Sequence, residues 1–91
     1  MKPEELESTT KRIENWHNLI RERLKAVEHG GDSATIHAVN HHLDNIDGWK
    51  RISKKDPSDV PNLITWGEYV RSAEIYLCKL AGVEYQWKKP S

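Results

Sequence analysis

The chain has no phenylalanine, a single cysteine, no net charge and no long apolar run. Each absence excludes something. Without an uninterrupted apolar stretch of about 18 residues there is no transmembrane helix to expect. The opening MKPEELESTT is polar and acidic, which is not the pattern of a secretory signal. Cys78 has no second cysteine to pair with inside the chain. A reducing, cytoplasmic setting is therefore the expectation. The balance of 14 basic against 14 acidic residues lacks the basic excess typical of proteins that coat nucleic acid.

What is present is one domain's worth of chain. Ninety-one residues can bury only a modest core, with roughly 60 to 65% of the unfolded surface removed from water. The aromatic content is carried by four tryptophans and three tyrosines. Tryptophan serves both cores and binding hot spots.

Hydrophobic spacing predicts helices throughout. Leu6, Ile13, Trp16, Ile20, Leu24 and Val27 step by about 3.5 or its multiples, a helical stripe over roughly 4–29. Pro3 suits a first helical position, and Gly30-Gly31 suits a stop through the left-handed conformation. A second helix starts at Asp32 or Ser33, both good N-caps. Its stripe is Ile36, Val39, Leu43 and Ile46. It either stops at Asp47-Gly48 or runs on through Trp49 and Ile52 to about Lys55, since an interior glycine costs only about 1 kcal/mol. Pro57 ends it, and DPSDVPN reads as a loop. For the third helix, Thr65-Trp66-Gly67-Glu68 fits a capping box, with Ile64 and Tyr69 as the hydrophobic staple. This places the helix at 66–81, with Gly82 as its stop. Beyond it, Val83, Tyr85 and Trp87 alternate with polar residues, the pattern of an extended segment with one apolar face. The expected fold is all-α: a single domain forming a small antiparallel three-helix bundle, with an extended C-terminal tail at 83–91 lying back across it.

Candidate chemistry is sparse. IHAVNHHLDNIDGW, residues 36–49, holds three of the five histidines. On a helix His37, His41 and Asp44 share a face, and nitrogen and oxygen donors so arranged can meet a zinc ion. They lie away from the buried stripe, however, and a fourth ligand with supporting groups is not evident. A solvated histidine face is the better reading, and no cofactor is expected. His17 and His29 read as isolated. No nucleophile with a base partner and no phosphate loop is visible, which argues against an enzyme. Cys78 reads as a small residue at the core margin, since a reactive thiol wants a cation or helix N-terminus beside it.

In WKRISKK, Lys50, Arg51, Lys54 and Lys55 surround aromatic Trp49, a combination suited to single-stranded nucleic acid and equally to a helix C-terminus. Trp16 and Trp66 sit on apolar stripes and read as core. Trp49 falls more than about 60° from the centre of its stripe at 100° per residue, and Trp87 lies in the tail. Each either covers the core or anchors a partner.

The expected function is therefore a small intracellular protein–protein interaction module, an adaptor, inhibitor or regulator, using Trp49, Tyr85 and Trp87 and with no membrane contact. The alternative is a nucleic-acid-associated protein using Lys50, Arg51, Lys54 and Lys55, which steep salt dependence would reveal. A third reading is a metal-dependent site at His37, His41 and Asp44. Homodimerisation is a further expectation. A first stripe of about 22 residues, or about 33 Å, would outreach a second helix of about 15 residues and leave part of its face for a second copy.

Overall fold

A computed structural model describes residues 2–82. They form three helices, α1 (Pro3–Gly30), α2 (Ser33–Lys55) and α3 (Val60–Ala81). All three pack on one another. Glu14 of α1 meets Lys50 and Lys54 of α2, while His17 and Arg21 meet Asp47, so these two helices are antiparallel. Trp49 meets Tyr69 and His42 meets Tyr76, so α2 and α3 are antiparallel too. The result is the all-α three-helix bundle that the spacing predicts. None of these helices is long and apolar enough to cross a membrane.

The core is Ile13, Ile20 and Leu24 from α1, Val39, Leu43 and Ile46 from α2, and Leu63, Trp66, Val70 and Ala73 from α3. Trp66 is wholly enclosed, at 0% exposure. Trp16, expected in the core, is only half-buried at its edge. Its indole Nε1 donates to Glu74 Oε2 at 3.0 Å, and a polar tip of this kind holds the ring at the boundary.

α2 continues through Gly48, which decides between its two endings. At 23 residues it is about 34 Å long and matches the α1 stripe. The length mismatch that motivated a dimer is therefore absent. Asp32 caps the helix by accepting from the Thr35 backbone N–H at 2.8 Å, and this bond holds its carboxyl below the usual range. At the far end Asp56 leaves the helix, with φ −134° and ψ 88°, outside the α region that a following proline disfavours.

Two boundaries differ from the sequence expectation. α3 begins at Val60, six residues before Trp66, and its N-cap is Asp59, not Thr65. The Asp59 carboxylate accepts from the Asn62 backbone N–H at 3.1 Å. Pro61 falls in the first turn, where its missing N–H is no loss. The earlier start brings Leu63 into the core beside Trp66 and Val70, and that burial outweighs a capping box at Thr65. The Thr65 hydroxyl instead donates to the Pro61 carbonyl at 2.9 Å. The second difference is at Gly31. It is extended, with φ −91° and ψ 162°, so no left-handed residue ends α1. Glycine stands there for space, since a Cβ would lie 2.8 Å from Thr35 Cγ2. Gly82 is the left-handed stop the sequence suggests, with φ 69° and its N–H bonded to the Cys78 and Lys79 carbonyls.

Gly48 gives a first prediction. Beyond its own helix backbone and chain neighbours, nothing among the described residues lies within 4 Å of where its Cβ would be, and its backbone is helical. Gly48→Ala should raise stability by about 0.5 to 1 kcal/mol through the lower entropy of the unfolded chain. Urea denaturation measures it, and a loss of stability would mean that this turn is not helical in solution.

Candidate functional site

Two features of the bundle hold polar or aromatic side chains in defined geometry. The first is the seam between α2 and α3. His42 and Trp49 are seven residues apart on α2, as are Tyr69 and Tyr76 on α3. Because seven residues are about two helical turns, each pair stands on one side of its helix. The antiparallel packing then makes two rungs. Trp49 stacks on Tyr69 with centroids 5.5 Å apart and planes 16° apart, and His42 stacks on Tyr76 at 4.8 Å and 28°. Burial pushes the His42 imidazole below its usual range, and neighbouring His41 adds to this. Trp49 and Tyr69 thus form a stacked aromatic pair on the seam, with Ile52, 45% exposed, one turn further along α2.

The second feature is a polar node that reaches into the core. His17, read as isolated, is 1% exposed. Trp66 Nε1–H donates to His17 Nδ1 at 3.0 Å. His17 Nε2 lies 3.0 Å from Asp47 Oδ1, and Arg21 Nε reaches both Asp47 oxygens at 3.3 Å. One imidazole therefore joins α1, α2 and α3. The sequence reading missed both His17 and Asp47.

The other candidates are dispersed. His37, His41 and Asp44 are all exposed. His41 Nε2 lies 3.3 Å from Asn45 Nδ2, and no group of three or more metal-ligating side chains assembles among the described residues. In the basic segment, Lys50 and Lys54 both turn to Glu14. The hydrogen bond from Lys54 is the main reason that the Glu14 carboxyl lies below its usual range. Arg51 and Lys55 are exposed. Cys78 is half-buried and lines an open, largely apolar groove of about 730 Å³ with Val27, Leu77 and Ala81. Tyr85 and Trp87, and the tail at 83–91 that carries them, lie outside the described residues. Comparison with family models, curated proteins and solved structures finds no match for this chain.

Proposed function

We propose that the chain is a small intracellular protein–protein interaction module without catalytic activity, docking another protein on the α2–α3 face. The observation that carries the reading is the stacked pair of Trp49 and Tyr69, with exposed Ile52 one turn along α2. Its two rings are prearranged by stacking, and Trp and Tyr are among the residue types over-represented in binding hot spots. Tyr85 and Trp87 of the tail join this proposal from the sequence alone. The nucleic-acid reading draws less support, since Glu14 offsets two of the four cations it needs.

Ile52→Lys tests the proposal with little risk to the fold, because the side chain is 45% exposed. Wild-type and variant chains are used as bait in extracts of the source cells, with bound proteins quantified by mass spectrometry. The variant should keep the wild-type melting temperature and lose at least about tenfold of a specific partner, the effect of roughly 1.4 kcal/mol. Equal capture by both chains would remove this face from consideration.

A further inference from the structure

We propose that His17 is an acid-sensitive latch, holding the three helices together only while its imidazole is the neutral Nε2–H form. The form follows from the partners. An indole N–H can only donate, so His17 Nδ1, 3.0 Å from Trp66 Nε1, must present a lone pair. The single ring proton then sits on Nε2 and is donated to Asp47 Oδ1. A second proton, taken from solvent, can bind only at Nδ1. It forms an N–H bond there and breaks the bond from Trp66, leaving two donors face to face in the core.

The surrounding charges pull both ways. From α1, Arg21 disfavours a positive ring and Glu14 favours it. From α2, Lys50 opposes it and Asp47 favours it. α3 contributes the neutral Trp66 indole, and its Glu74 is turned to Trp16. Burial is the largest influence and leaves the His17 imidazole below its usual range.

The direction of the pH effect follows. Free imidazole titrates near about 6.5, so on acidification the unfolded chain takes up this proton before the folded one does. Stability is at its full value above that range. It falls as pH drops from about 6.5 to the lower native value, then levels off. Each unit between the two values lowers the folded-to-unfolded ratio about tenfold. His42 acts in the same direction, so the test must separate the two.

The experiment is an imidazole ¹⁵N NMR titration of the full chain, with thermal melts at each pH. At pH 7.5 the proton should be on Nε2 of His17 and Nδ1 should be bare. On acidification the melting temperature should begin to fall near about pH 6.5, and at the lower native midpoint the His17 signal should change together with loss of solvent protection at the Trp66 indole N–H. His42→Phe should keep that step. Trp66→Phe removes the donor to Nδ1 and should move the His17 midpoint upward. A proton on Nδ1 at pH 7.5 would overturn the proposal. So would protonation of His17 without loss of indole protection, or a midpoint unchanged by Trp66→Phe. If Trp66→Phe does not fold, the wild-type tautomer and the coincidence of the two transitions decide the matter.

Discussion

Trp66→Ala is expected to destabilise the bundle by about 3 to 5 kcal/mol, the range for truncating a large buried aromatic. The residue is at the top of that class here. It is wholly enclosed, belongs to the core cluster fed by all three helices, and supplies the hydrogen bond to His17 Nδ1. Truncation would open a cavity and also leave a buried acceptor unpaired, itself worth about 1 to 3 kcal/mol. A domain's whole stability is about 5 to 15 kcal/mol, and a short chain sits toward the lower end. The variant should therefore be largely unfolded well below the melting temperature of the wild type. Trp66→Phe separates the two contributions, because it keeps most of the ring volume and removes the N–H. Equilibrium denaturation in urea reads both variants. A cost below about 1 kcal/mol for Trp66→Ala would show that Trp66 does not occupy the centre of the solution fold.

The helices were legible because the apolar steps of three and four are strong and the punctuation is sharp. Pro57 and Gly82 stop their helices as expected. The α3 start was misplaced because two capping signals lie six residues apart, at Asp59 and Thr65. Choosing between them needs the tertiary fact that Leu63 packs into the core. The His17 node was hidden for a different reason. Ile13, His17, Ile20 and Leu24 step by 4, 3 and 4, a cleaner stripe than the one through Trp16. Hydrophobicity favoured Trp16 because a lone histidine counts as polar. What makes His17 suitable for the core is a donor 49 residues away on Trp66 and an acceptor 30 residues away on Asp47. Neither separation carries a local signal. Asp47 was read only as part of a helix stop, and its carboxylate instead serves two α1 side chains across the interface.

Trp49→Ala should lower both stability and partner affinity. The sequence offered these effects as alternatives, and the geometry joins them. The ring is half-buried at the edge of the core and stacked on Tyr69. Truncating a fully buried tryptophan costs about 3 to 5 kcal/mol, so a half-buried one should cost about 2 kcal/mol. A chain of this size then melts roughly 8 to 16 °C lower but still folds at room temperature. In the proposed interface, the exposed part of the ring would meet the partner. Its loss also frees Tyr69 from the stack that fixes its orientation, so two contact residues suffer from one substitution. Affinity should fall by about 2 kcal/mol, close to thirtyfold. Titration must be run where circular dichroism shows the variant to be folded, so that unfolding does not imitate weaker binding. Lower stability with unchanged affinity would make the Trp49–Tyr69 stack a cover for the core and leave Ile52 without its aromatic neighbour in the interface. Lower affinity with an unchanged melt would mean that the ring contributes nothing to the bundle and that its stacking on Tyr69 does not persist in the free protein.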